Sequence, residues 1–239
     1  MVIGHTVSGP ITGISSMATR GVLAELADEY ARSSGQRVMI ESVGGVDAAQ
    51  RVQNGEAFDF VVLAAGAINR LEDAGRVLAG SRVDLARSGV AIAVAAGAPQ
   101  PDISTEAALR SAVLAARSIG FSTGPSGLHL ACLFERWGIA DTVGQRIVQA
   151  PPGVPVGELI ARGEVELGFQ QLSELIDLPG IDVIGPMPGA AQTVTVFSAG
   201  ICTTSQQKES AGTFLSFLAS SRSDAAKLSH GMEPVQARL

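Results

Sequence analysis

From Ile11 onward, short apolar runs alternate with amphipathic stretches, and few folds accommodate that order. The run ITGI leads into residues 17–33, where Val22, Leu23, Leu26, Ala27 and Tyr30 recur on one helical face and Gly35 supplies a stop. A strand RVMIES follows, then the Gly-led helix GGVDAAQRVQNG, the buried strand FDFVVLAA and a helix over 67–75. Strand and helix in strict alternation imply parallel strands joined by helical crossovers, with helices on both faces of the sheet.

A second series starts at RSGVAIAVAAG and runs through a helix in STEAALRSAVLAA, the strand SIGFST and the helix SGLHLACLFERWG. It continues with RIVQA, the helix VGELIARG, the strand VELGFQQ, a short strand IDVIG and the connection PMPGAAQ. A long β run, TVTVFSAGICTT, precedes two closing helices around ESAGTFLSFLASS and SDAAKLSHG. The halves share an architecture without a sequence repeat, so two α/β lobes of ~100–120 residues fit better than one oversized sheet. The expected division places 1–84 and 192–239 in one lobe and 85–191 in the other. With aromatics at 4% of the chain, the core is expected to be aliphatic.

Charge and motif content exclude several function classes. A net charge of −6 without any Lys/Arg cluster offers no basic stripe for nucleic acid or an anionic membrane, although a small anion needs only a few donors. No apolar run approaches the ~18 residues of a membrane span. Metal-ligand spacings, a phosphate loop, a dinucleotide fingerprint and a G-x-S-x-G elbow are all missing, so no cofactor is expected and metalloenzymes and hydrolytic triads are disfavoured. Cys132 and Cys202 lie in apolar contexts and read as buried, unreactive thiols. The N-terminus MVIGHTVSGP lacks an intact secretory signal. The chain is therefore expected to be periplasmic if a leader has been removed and cytoplasmic if Met1 is the native start.

In open α/β sheets, ligands bind beyond the C-terminal strand ends, where helix N-termini present unpaired N–H groups and partial positive charge. Four segments hold that position: GISSMATR, SVGGVDAAQ, STGPSGLHL and the stretch after VELGFQQLSE. Ser15 and Ser16 open the first, and serines there serve equally as helix caps. In the third, Thr123 precedes Gly124 and Gly127, which let backbone N–H groups approach an oxyanion; Pro125 suits a helix start and Ser126 can cap. Arg20 stands in the first turn of its helix against the dipole, a placement that suits a ligand carboxylate or simply a solvated side chain. Gln170 and Gln171 end a core-bound strand and offer neutral amides to a polar ligand. His129 is the one histidine near a candidate loop, while His5 and His230 lie near the termini.

The order of SSMATRGVLAELADEYARSSGQRV, GGVDAAQRVQNGEAFDFVVLAA, VELGFQQLSEL and AGTFLSFLASSRSDAAKLSHGMEP resembles the type II periplasmic-binding-protein fold, within it the molybdate-binding-protein-like group. The resemblance implies two lobes, each a mostly parallel sheet flanked by helices, with the ligand cleft between them. It places a ligand serine at Ser15 or Ser16 and a backbone contact near Ala64. It also expects a second serine where this chain has Gly44 and Gly45, and a tyrosine where it has Gln171. Those departures shift the expected ligand from molybdate to a larger organic anion. GISSMATR, ESVGGVDAAQRV and GPSG are similar to the aconitate-isomerase branch of the group, which moves a double bond in a small unsaturated tricarboxylate.

The expectation is therefore a monomeric solute-binding protein that closes on a small organic (poly)carboxylate by hinge motion. If exported, the resemblance implies an ABC transporter permease as partner. The alternative is an isomerase using the same cleft, with His129 or Asp47 as acid or base. The ligand-binding set comprises Ser15, Ser16, Arg20, Gly44, Gly45, Ala64, Thr123, Ser126, Gly127, Gln170 and Gln171.

Overall fold

The computed structural model describes residues 9–235, so His5 and most of the N-terminal segment read above lie outside the described residues. Its elements follow the expected alternation: β1 (Ile11–Ser16), α1 (Arg20–Ser34), β2 (Val38–Val43), α2 (Gly45–Gln53), β3 (Phe60–Ala64) and α3 (Ala65–Asp73). The long β4 (Val83–Ala95) leads to α4 (Glu106–Ala115), β5 (Ile119–Phe121), α5 (Pro125–Arg136), α6 (Ala140–Val143), β6 (Ile147–Gln149), α7 (Val156–Ala161) and β7 (Leu167–Gln171). The chain closes with α8 (Leu172–Leu175), β8 (Ile181–Pro186), β9 (Val194–Ile201), α9 (Lys208–Ala219), α10 (Asp224–Ser229) and β10 (Glu233–Pro234). The helix expected over 17–33 starts with a 3-10 turn, Met17–Thr19, and ends at Gly35, whose φ of 76° is left-handed.

Strand order is β2-β1-β3-β9-β4-β7-β5-β6, with β8 and β10 also pairing β4. Lobe one pairs β2, β1 and β3 in parallel and adds β9 antiparallel to β3; lobe two pairs β6, β5 and β7 in parallel and adds β4 antiparallel to β7. β4 belongs to both lobes, because Val83–Gly89 pair with β9 and Val90–Ala95 with β7 or β8. The charged and polar residues Asp84, Arg87 and Ser88 mask its first half in the sequence. Partners across the sheet hold two of them, Ser198 Oγ donating to Asp84 at 2.6 Å and Arg87 to Glu233 at 2.9 Å.

Strand alternation divides the apolar residues between two cores in each lobe. Phe60 and Val62 face α1 and α9, whereas Val61 and Leu63 face α2 and α3. In lobe two, Val90, Ile92 and Val94 pack toward α4 and α5, and the small Ala91 and Ala93 leave room for α7. The cores are mainly aliphatic, as expected, but all eight phenylalanines are also buried, and Phe214 lies 5.0 Å from Tyr30 and 5.3 Å from Phe60 between ring centroids. Scarce aromatics concentrate where they bury the most area.

The chain passes between lobes within β4 and again just before β9. Gln192 ties these crossings: its Oε1 accepts from Val90 N at 3.0 Å and from Thr193 N at 2.9 Å, and its Nε2 donates to Val90 O at 3.0 Å.

Candidate functional site

The parallel strands of both lobes end at one cleft, which encloses a cavity of about 720 Å³. Lobe one contributes the turn from β1 at Ser16–Ala18 and the starts of α2 and α3; lobe two contributes the start of α5, the segment Pro151–Val154, and the β7–α8 corner. Ser16, Gly44, Ala64 and Gly124 are the N-terminal caps facing it, and none forms a side-chain capping bond. Away from the cleft, Thr105 caps α4 conventionally, accepting from Ala108 N at 3.1 Å. First-turn N–H groups at the cavity thus lack protein side-chain acceptors and present the positive ends of helix dipoles.

Arg70 and Glu174 are the charged side chains lining the cavity. Arg70, in the last turn of α3, has no carboxylate partner among the described residues. Glu174, on α8, is partly exposed to the cavity, and its Oε1 accepts from Gln170 Nε2 at 2.8 Å. Gln170 is itself oriented by Val156, whose backbone N–H donates to its Oε1 at 2.7 Å. Burial pushes the Glu174 carboxyl from an ordinary 4.5 up to about 7, against the opposing effect of the Gln170 hydrogen bond.

Two further buried polar atoms of the lining residues have no hydrogen-bond partner among the described residues: Ser16 Oγ and Gln171 Oε1. The Gln171 amide is held at its other end, Nε2 donating to Thr195 Oγ1 at 2.8 Å. A threonine hydroxyl donates as readily as it accepts, so the turned-over amide would present NH₂ to the cavity instead. Apolar walls come from Val46, Leu63, Leu128, Val154 and Phe197.

The structure brings Ser16, Gly44, Gly45, Ala64, Thr123, Ser126, Gln170 and Gln171 to this cavity. Ser15 is fully buried behind it, with its Oγ 2.8 Å from Ser42 Oγ, because adjacent strand residues point to opposite faces. Ser126 follows Pro125 inside α5 and does not cap; its Oγ lies 3.4 Å from Ser122 Oγ. Gly127 serves packing: a Cβ there would stand 1.7 Å from the Ser122 carbonyl oxygen.

Arg20 and Asp47 line a separate outer groove of about 740 Å³. Gly44 meets Pro152 and Gly153 between the two spaces, with an added Cβ 3.4 Å from Pro152 Cβ. Asp28, Glu41 and Asp47 line that groove together with Arg20, and although Glu41 is paired with Arg51, the carboxylates outnumber the Arg20 cation there and disfavour an anion. His129 is outside the cavity, its Nε2 2.8 Å from Ala191 O. Cys132 is exposed rather than buried, on the side of α5 opposite Leu130, Leu133 and Phe134. Cys202 is buried, and desolvation pushes its thiol up to about 12.

Sequence reading missed Arg70 and Glu174. Arg70 sits where a helix cation is unremarkable, and Glu174 lies in the quoted VELGFQQLSE stretch but follows two glutamines that drew attention first. Among the described residues no cluster of potential metal ligands occurs, and no helix is long and apolar enough to cross a membrane.

The periplasmic molybdate-binding protein of Azotobacter vinelandii shares the fold, with a TM-score of 0.79 at 23% identity, covering 95% of this chain and 100% of that one. The sulfate-binding protein SubI from Mycobacterium tuberculosis H37Rv superposes with a TM-score of 0.78 at 16% identity over 96% of this chain and 88% of that one. An aconitate isomerase from Pseudomonas sp. is 37% identical over 234 residues, 95% of this chain and 89% of that protein. The family described as bacterial extracellular solute-binding protein matches residues 11–233. The chain belongs to that bacterial extracellular solute-binding family, and its two lobes have the type II periplasmic-binding-protein fold.

Proposed function

We propose that the cleft takes a small organic anion bearing several carboxylates, specifically an unsaturated tricarboxylate of the aconitate type. The carrying observation is the composition of the cavity wall: Arg70 and four uncapped helix starts converge on a space that also has apolar walls. At about 720 Å³, the cavity falls within the ~300–1,000 Å³ usual for organic-ligand sites, larger than a bare tetrahedral oxyanion needs. In this reading Ser16 donates to a carboxylate, Gln171 meets a polar group and Arg70 pairs with a second carboxylate. The lobes close over the ligand about the crossings clamped by Gln192. A thermal-shift panel of molybdate, sulfate, citrate, and cis- and trans-aconitate tests it: aconitate stabilises the fold and molybdate does not. Stabilisation by molybdate alone refutes it.

A second reading, allylic isomerisation of that ligand, is favoured by the 37% identity to the aconitate isomerase across nearly the whole chain. Incubation with trans-aconitate, followed by proton NMR, shows the cis isomer accumulating if it holds; binding without conversion rejects it. Placement outside the cytoplasm and docking to an ABC transporter permease accompany the pure binding reading, and release of bound aconitate to a cognate permease in vesicles checks both.

A further inference from the structure

We propose that Glu174 is the acid–base residue of the cleft, removing a proton from one carbon of the bound unsaturated tricarboxylate and delivering a proton to another; this rests on the ligand reading above. Among the described residues it is the sole carboxyl group lining the cavity. Asp47 faces the outer groove, and His129 is engaged by the Ala191 carbonyl away from the cavity.

The local geometry suits such a group. Val156 N fixes the Gln170 carbonyl at 2.7 Å, so the Gln170 NH₂ necessarily faces Glu174 and holds its Oε1 at 2.8 Å. Among the described residues Oε2 has no hydrogen-bond partner, and it is the oxygen available to a ligand. Neither oxygen is ion-paired among the described residues, so no cation there locks the carboxyl in its charged form. With burial raising its proton affinity, the group takes and returns a proton near neutral pH.

The step is balanced without any co-reactant. The ionised Glu174 removes a proton from the methylene carbon next to a carboxylate, and the C–H electron pair spreads through the adjacent double bond. Charge accumulates on carboxylate oxygens, where Arg70 and the first-turn N–H groups of α2, α3 and α5 are aimed. The Glu174 O–H exchanges with solvent water, and Glu174 then gives a proton to the former vinyl carbon, forming a new C–H bond and leaving the double bond shifted by one position.

The test is deuterium exchange in D₂O, read by proton NMR on trans-aconitate, together with calorimetric binding of the same compound. Wild type incorporates deuterium at the methylene and vinyl carbons. Glu174→Gln keeps the shape and the Gln170 hydrogen bond, binds within about threefold, and exchanges at least ~100-fold more slowly. Glu174→Asp draws the carboxyl back without removing it and slows exchange more than about tenfold at similar affinity. Exchange by Glu174→Gln within tenfold of wild type overturns the proposal, as does an unaltered rate in Glu174→Asp should the first variant not fold. Binding by wild type without exchange overturns the proton role and leaves the ligand reading standing, whereas no binding of aconitate overturns both.

Discussion

Ser15 and Ser16 are neighbours in sequence, yet replacing each with alanine should affect different quantities. Ser15 Oγ is fully buried, 2.8 Å from Ser42 Oγ and donating over a longer 3.3 Å to Ser16 O, so Ser15→Ala removes two native hydrogen bonds, together worth ~1 kcal/mol. In a domain of this size the loss lowers the melting temperature by ~2–4 °C. Ser16 Oγ has no partner in the ligand-free protein, so Ser16→Ala discards an unsatisfied hydroxyl and leaves ligand-free stability equal or up to ~1 kcal/mol higher. A hydrogen bond to a charged ligand contributes ~1.5–3 kcal/mol, so the same substitution weakens trans-aconitate roughly tenfold to 150-fold. Scanning calorimetry of the ligand-free variants and titration calorimetry with trans-aconitate read the two effects separately. The reasoning is refuted if Ser16→Ala melts several degrees early with unchanged affinity, since the hydroxyl is then structural.

Three other perturbations have defined outcomes. Gly127→Ala drives a Cβ to 1.7 Å from the Ser122 carbonyl oxygen, so the unfolding free energy falls by ~1–3 kcal/mol or more, read as a lower urea midpoint with little change in slope. Arg70→Met leaves stability nearly unchanged but weakens tricarboxylate binding and flattens its salt dependence, seen by titrating at ~0.05 and ~0.5 M salt. The third concerns pH. Glu174 binds its proton more tightly folded than unfolded, so its contribution to stability is fully present below pH 4.5 and is lost as pH rises toward about 7. The difference in melting temperature between Glu174→Gln and wild type should therefore widen in favour of the variant across that window, and a constant difference contradicts the burial argument.

The fold was legible because periodicity is local: the apolar stripe of α1, the stop at Gly35 and the buried run of β3 are each determined within a few residues. The parallel-strand expectation also placed the helix starts at the cleft. What sequence could not resolve was orientation. A one-residue difference in a strand separates Ser16 at the cavity from Ser15 behind it, and only pairing with β2 and β3 decides which faces where. Arg20 drew attention because it opposes its helix dipole, whereas Arg70 looks ordinary because it complements its own; their places relative to the cleft depend on how α1 and α3 dock. Glu174 escaped notice because its surroundings are assembled from β7 and the distant Val156. The first half of β4 was hidden by polar residues whose partners lie more than a hundred residues away.

The central claim is that this cleft is built for a several-fold charged organic anion. Titration calorimetry of the wild-type protein with trans-aconitate and, separately, with molybdate tests it most directly. The account predicts saturable one-to-one binding of trans-aconitate and no heat of binding from molybdate. Saturable binding of molybdate with none of the tricarboxylate would contradict it.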